Sequence, residues 1–302
     1  MKYRVQIIAP SSGVNDADRL AMEFANLLMK YDFQVKPPLG LFAENMHYYA
    51  NATKKRLEQL QSALLDPEID IIWAFRGGYG ASELAIQCID LKPSHPKILI
   101  GYSDITVLHC LFNEVYKMPS IHGPVATSLL GDQAKHIDDI VTILNGKESR
   151  FQLEPMTQKV KDFEFQGPIA GGNLSVIVTT IGTKLHLDTK GKILVIEDVG
   201  EKGYSVRRML NHCSQARLFD DVGAIIFGDF TKSDEHLNFA FEDFCARNSH
   251  IPMFKAHGIG HGETNIPLVF GYDAAIKRGE LTARSPFKPS SPSSFSALWA
   301  EH

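Results

Sequence analysis

Residues 97–116 read KILIGYSDITVLHCLFNEVY. Lys97 to Ile100 is a short apolar run, Gly101-Tyr102-Ser103-Asp104 is a turn, and Ile105 to Tyr116 carries apolar residues at helical spacing. The stretch just before follows the same order. Ile69 to Phe75 is apolar and β-branched, Arg76-Gly77-Gly78-Tyr79-Gly80 is a glycine-rich turn, and Ala81 to Ile89 is a helix candidate. Strands apolar on both faces, alternating with helices, make a parallel sheet covered on two sides. Toward the N-terminus the pattern continues with a buried strand at Arg4 to Ala9 and a turn at Ser11-Ser12-Gly13. A helix over Asp16 to Tyr31, a short strand at Phe33 to Val35 and an amphipathic helix over Asn51 to Leu65 follow. The expected fold is therefore α/β, with a Rossmann-like N-terminal domain over residues 1–145.

Toward the C-terminus, Gly146, Pro155 and a polar, charged run through Asp162 mark residues 146–163 as a linker. The second half, residues 164–284, opens with Gly167-Pro168 and a turn at Gly171-Gly172-Asn173, then a helix from Leu174 to Ile181. A buried strand, Ile193 to Ile196, runs straight into Glu197-Asp198. A helix (Ser205 to Leu218), a strand (Val222 to Phe227) and a helix (Leu237 to Arg247) complete a smaller α/β domain. Residues 285–302 hold Pro286, Pro289, Pro292 and many serines, and read as a loose tail.

The length of 302 residues suits about two domains. With 44% hydrophobic and 22% charged residues the chain is ordinary for a globular protein with a sizeable core. A formal charge of -4 gives no electrostatic reason to expect nucleic acid or an anionic membrane as partner. Cys88, Cys110, Cys213 and Cys245 lie far apart, without a C-x-x-C pair, and read as four buried thiols. Val5 to Ala9, interrupted by Gln6, is too short for a secretory signal, and no apolar segment is long enough to span a membrane, so a cytoplasmic protein is expected.

In an open parallel sheet, ligands bind outside the carboxyl ends of the strands. Ser103 sits there, in a sharp strand-to-helix turn that lifts its hydroxyl out of the sheet in the manner of a nucleophile elbow. The same turn points the Asp104 N–H at a developing oxyanion, and Gly78 of the glycine-rich turn is the candidate second donor. The competing structural roles are a Ser-Asp cap on the following helix and a tight packing turn at Arg76–Gly80. A phosphate cradle is disfavoured, because G-G-Y-G lacks the Lys-Ser/Thr of a P-loop. Ser103 needs a base from elsewhere in the chain, and His257 and His261 stand out. Their i, i+4 spacing suggests a zinc helix, but Gly258 and Gly260 argue against a helix, so a loop histidine acting as base is preferred. The carboxylate that orients it is expected at Glu197, with Asp198 and Glu201 as rivals.

At these residues the sequence resembles the LD-carboxypeptidases, a serine peptidase family. The resemblance rests on ordered segments: Ile8-Ala9-Pro10-Ser11, Arg76–Ser82, Gly101–Thr106, Gly123-Pro124, Gly171–Ser175, Ile196-Glu197-Asp198, Arg208-Met209-Leu210 and Gly260-His261. It departs from the family at Arg207, where an acidic residue is usual, and at Ile266–Gly271, which stands for L-P-L-G. The resemblance implies a Ser103–Glu197–His261 triad, a homodimer, and release of terminal D-Ala from murein tetrapeptides in peptidoglycan recycling. The bond cut would follow diaminopimelate or Lys, and no metal or organic cofactor is implied. Arg76, Asn173 and Arg208 are candidates for holding the substrate. A serine hydrolase of the microcin-immunity type, acting on peptidyl or aminoacyl nucleotides with the same triad, is the nearer rival. No aromatic insertion able to stack on adenine is evident between Asn173 and His261. A non-catalytic muropeptide-binding protein is the more distant alternative.

Overall fold

The computed structural model describes residues 3–43, 46–160 and 162–287. Five strands build the core of the first sheet: β1 (Arg4–Ile8), β2 (Gln34–Val35), β3 (Ile71–Ala74), β4 (Ile98–Gly101) and β5 (Ser120–His122). They are parallel, in the order 2-1-3-4-5. This is a doubly wound order with its switch point between β1 and β3. The turns after β1, β3 and β4 therefore open into one crevice, and these are the turns that carry Ser11-Ser12, Arg76–Gly80 and Ser103.

The second sheet has eight strands: β6 (Ser149–Gln152), β7 (Glu154–Pro155), β8 (Phe165–Asn173), β9 (Ile193–Val199), β10 (Ala224–Thr231), β11 (Met253–Gly260), β13 (Asp273–Lys277) and β14 (Glu280–Ala283). Strands β8 to β11 run parallel at its centre, and β6, β7, β13 and β14 pair antiparallel around them. One further strand, β12 (Leu268–Phe270), leaves this half and pairs antiparallel with β5, closing the edge of the first sheet.

Alternation along the strands separates the cores. Val5, Ile7, Trp73, Ile98 and Ile100 pack on one face of the first sheet with Phe24 and Leu28. Ile8, Ile72 and Leu99 face the other way, into a core that continues through Leu108, Leu174 and Leu194 to Phe227 and Phe244. One apolar mass thus joins the inner faces of both sheets. At about 25 cal/mol per Å2 of apolar area removed from water, such a shared core resists separation of the halves.

Three expectations change. Residues 146–163 include the strands β6 and β7, not only a linker: Phe151 and Leu153 are buried while Arg150 and Gln152 are exposed. Polar outward residues and Pro155 are what an edge strand tolerates, so the same residues imitate a linker. The tail is docked at its start: Ser285 Oγ donates to the Ile143 carbonyl at 2.7 Å, and Phe287 is fully buried in the first core. The remainder of the tail lies outside the described residues. Finally, the helix after Ser103 is composite, passing from a 3-10 turn (Ser103–Ile105) through an α-helix (Thr106–Cys110) to a π-helical turn (Leu111–Val115). The four cysteines are buried, and burial pushes their thiols up to about 11 or 12.

Candidate active site

Ser103 has φ 66°, a left-handed conformation that an ordinary side chain rarely takes. The residue before it, Tyr102, is extended, and among the described residues Ser103 Oγ caps no helix. The capping role proposed for Ser-Asp falls instead to the neighbouring unit. Asp104 Oδ2 accepts from the Ala81 N–H at 2.9 Å and from Ser11 Oγ at 2.6 Å, tying the turns after β1, β3 and β4 together. Burial raises the Asp104 carboxyl, against the lowering effect of these two donors.

The glycine-rich turn leans on the elbow. A Cβ on Gly77 would fall 2.8 Å from Ser103 Cβ and 3.0 Å from its Oγ, so only glycine lets the two turns approach this closely. Neither the Gly78 nor the Asp104 N–H enters a turn or loop hydrogen bond among the described residues.

Arg56, unremarked in the sequence, is completely buried and locks the crevice wall. Its guanidinium donates to the carbonyls of Pro10, Asn51 and Gly80 and to Glu83, and lies 4.4 Å from the centre of the Tyr49 ring. The available signal was its position four residues before Leu60, on the buried face of the same helix.

From the second half, β9 delivers Glu197, which has no solvent exposure. His261, just past the end of β11, places Nδ1 2.7 Å from Glu197 Oε2. Gly260 makes this possible: its φ is +104°, and a Cβ there would fall 2.4 Å from Oε2. The register shift in β10 between Phe227 and Phe230 lies opposite Ile196–Asp198 and puts Gly228 beside Glu197. Asn265 Oδ1 accepts from the Gly260 N–H at 3.1 Å and fixes the loop.

The two rival acids are committed elsewhere. Asp198 accepts from Asn173 Nδ2 and from the N–H and hydroxyl of Ser175, while Glu201 accepts from Ser205 Oγ. His257 is exposed, near Glu154 and Asp229 and apart from Glu197. The three alternatives are thus sorted by hydrogen bonding.

A second imidazole faces the same carboxylate. His122, fully buried at the end of β5, has Nε2 3.8 Å from Glu197 Oε1, an electrostatic contact beyond hydrogen-bond length. It stacks on Phe270 of β12, with ring centres 5.0 Å apart. Burial acts to raise the Glu197 carboxyl, but the facing imidazoles of His122 and His261 outweigh it and hold the group at about 2. Beneath the elbow, His109 spans Ser120 Oγ and the Gly101 carbonyl, and burial pushes it down to about 3, so it is neutral.

The halves meet at Tyr102. Its ring centre is 4.7 Å from that of His261 and 6.1 Å from that of His122. The residue preceding Ser103 is therefore in van der Waals range of the His261 ring. Among the described residues no hydrogen bond reaches Ser103 Oγ, as is common before a substrate tightens such a site.

The expected substrate residues fare differently. Asn173 is buried, with Oδ1 capping the Leu174–Thr180 helix at Val176 and its Nδ2 on Asp198, so its amide serves the fold. Its place after a glycine pair and before a helix reads equally as a cap. Arg208 projects from the exposed face of the Gly203–Gln215 helix over Tyr204, on a surface hollow separate from that of His261. Arg76 is exposed beside the crevice and donates to the Gly13 carbonyl.

Comparison with known proteins follows the same division of the chain. The LD-carboxypeptidase N-terminal domain pattern matches residues 5–123, and the LD-carboxypeptidase C-terminal domain pattern matches residues 166–276. The murein tetrapeptide carboxypeptidase of Pseudomonas aeruginosa is 31% identical, over 92% of this chain and 94% of its own length. Among solved structures, muramoyltetrapeptide carboxypeptidase from Oxalobacter formigenes has the same fold, with a TM-score of 0.79 at 23% identity, covering 94% of this chain and 99% of that one. The microcin C7 self-immunity protein MccF is alike in fold to the same degree, with a TM-score of 0.79 at 18% identity, covering 95% of this chain and 97% of that one.

Proposed function

The chain belongs to the LD-carboxypeptidase family, and we propose that it is a serine carboxypeptidase that releases terminal D-Ala from murein tetrapeptides. The observation that carries the reading is the 2.7 Å contact of His261 with a buried Glu197, beside the ring of the residue that precedes Ser103. With Nδ1–H donating to Glu197, Nε2 of His261 is left as the base.

In the proposed reaction, Ser103 Oγ attacks the carbonyl of the amide joining an L-centre to D-Ala, and its proton passes to His261 Nε2. The N–H groups of Asp104 and Gly78 receive the oxyanion. The C–N bond breaks as His261 returns the proton to the leaving amine, and D-Ala departs. Water, activated by His261, then adds to the acyl-enzyme, and Ser103 is regenerated as the tripeptide acid leaves. Glu197 stays ionised throughout and stabilises the imidazolium, consistent with the depressed carboxyl. We place the role in cytoplasmic recycling of peptidoglycan, by a homodimer; no helix among the described residues is long and apolar enough to cross a membrane.

The test is incubation with tetrapeptides ending in D-Ala or L-Ala, followed by mass spectrometry. Loss of a single D-Ala, with the L-Ala peptide untouched, is the expected result. Intact D-Ala peptide would overturn the proposal, and faster hydrolysis of an aminoacyl nucleotide would replace it with the microcin-immunity type of reaction.

A further inference from the structure

The hollow that holds His261 is lined by Tyr102, Ser128, Gln133 and Lys232 among others, and has a volume of about 370 Å3. That is inside the range of roughly 300–1,000 Å3 for small-ligand sites. Apart from the imidazole, Lys232 is the only basic side chain lining it among the described residues.

Lys232 is built into the site rather than scattered beside it. It follows β10 at φ 53°, a left-handed conformation held by clamps on either side. Before it, Thr231 Oγ1 donates to the His261 carbonyl at 3.1 Å, and the Thr231 carbonyl accepts from Gly200 at 2.8 Å. After it, Ser233 Oγ donates to the Glu201 carbonyl at 2.6 Å. The lysine backbone is thereby fixed to the His261 loop and to the loop that follows Glu197.

Its charge is also uncommitted. Lys36, Lys192 and Lys277 each meet a carboxylate. Among the described residues Lys232 Nζ meets no hydrogen-bond or ion-pair partner. Asp132 and Glu263 line the same hollow at exposed positions, where water and salt screen them. Arg76 is engaged at Gly13, and Arg208 lies on another surface.

We propose that Lys232 receives the free carboxylate of the substrate's terminal residue, and so makes the enzyme remove an end residue rather than cut within a chain. This rests on the serine carboxypeptidase reading above. An ammonium group is suited to the task, because a charge-assisted hydrogen bond to a carboxylate is lost when the ligand is amidated.

The experiment compares a tetrapeptide ending in D-Ala with its C-terminal amide, for the unmodified protein, Lys232→Met and Lys232→Arg. The unmodified protein should prefer the free acid by roughly 10- to 100-fold in kcat/KM. Lys232→Met should lose that preference through a raised KM for the acid, with the amide cleaved as before, and Lys232→Arg should retain most of it. Unchanged discrimination in Lys232→Met, or equal loss on both peptides, would overturn the role of Lys232 while leaving the carboxypeptidase reading intact. Failure of the unmodified protein to release D-Ala from the free acid would overturn both. Lys232 is exposed, and an unchanged melting temperature would show that the variants fold.

Discussion

Nδ1 of His261 stands 2.7 Å from Oε2 of Glu197 across 64 positions of sequence, and that oxygen occupies the space where a side chain on Gly260 would begin. The contact joins β9 to the end of β11, on either side of β10 in the second sheet, while the hydroxyl it would activate comes from the first. Four expectations can be tested on this geometry.

Replacing Ser103 by Ala should lower D-Ala release by several orders of magnitude, because the members of a triad act as a unit. The backbone is already left-handed there and, among the described residues, no hydrogen bond holds the side chain. The melting curve should therefore stay close to that of the unmodified protein. Turnover within tenfold of the original would remove Ser103 from the chemistry.

A carboxyl that ionises more easily in the folded chain than in the unfolded one stabilises the fold above its unfolded pKa. That contribution disappears as the pH falls through its folded value. Glu197, lowered from 4.5 to about 2, should thus contribute stability that is complete above about pH 5 and lost toward pH 2. Urea titrations of the unmodified protein and Glu197→Gln should show stabilities that converge as the pH falls through this window. A constant difference from pH 6 to pH 2 would contradict the depressed carboxyl.

His122→Phe removes the imidazole 3.8 Å from Glu197 Oε1, a buried oxygen that has no hydrogen-bond partner among the described residues and so depends on that electrostatic contact. The expected loss is about 0.5–3 kcal/mol at pH 7, read by urea denaturation. Adding Glu197→Gln to this variant should cost less than it does in the unmodified protein, because both substitutions act on one contact. Additive losses would mean that the 3.8 Å approach carries no energy.

Gly260→Ala should push the Glu197 oxygen off His261, and a displacement near 1 Å is enough to cost about 100-fold in kcat. Gly182→Ala provides the comparison: its φ is +80° and no atom lies within 4 Å of the added Cβ. That control should lose about 1 kcal/mol from backbone strain and keep its turnover. Equal turnover in the two variants would argue against crowding at Glu197.

Much of this molecule was legible in its sequence where local rules decide. Strand-to-helix turns at Gly77-Gly78 and Ser103, and an acid at the end of a buried strand, follow from periodicity and glycine placement. The choice among Glu197, Asp198 and Glu201 did not, since each is an acid near a strand end and only its partners separate them. His122 was missed because a buried polar residue at a strand end has no local mark, and Arg56 because its only trace was the spacing to Leu60, which a surface arginine can share; long-range contacts define both. The outer strands of the second sheet were hidden by their polar edges, and Asn173 by the identity of a cap with a binding residue.

The path of the chain has a consequence for biosynthesis. A ribosome that has released only the first 150 residues has made the sheet that carries Ser103 with β5 at an uncovered margin. That margin is closed by Leu268–Phe270, and the cavity filled by Phe287 stays empty until later still. The part synthesised first is thus finished last. Cutting the gene between the two halves should give an N-terminal fragment that is sticky and incomplete, rather than an autonomous module.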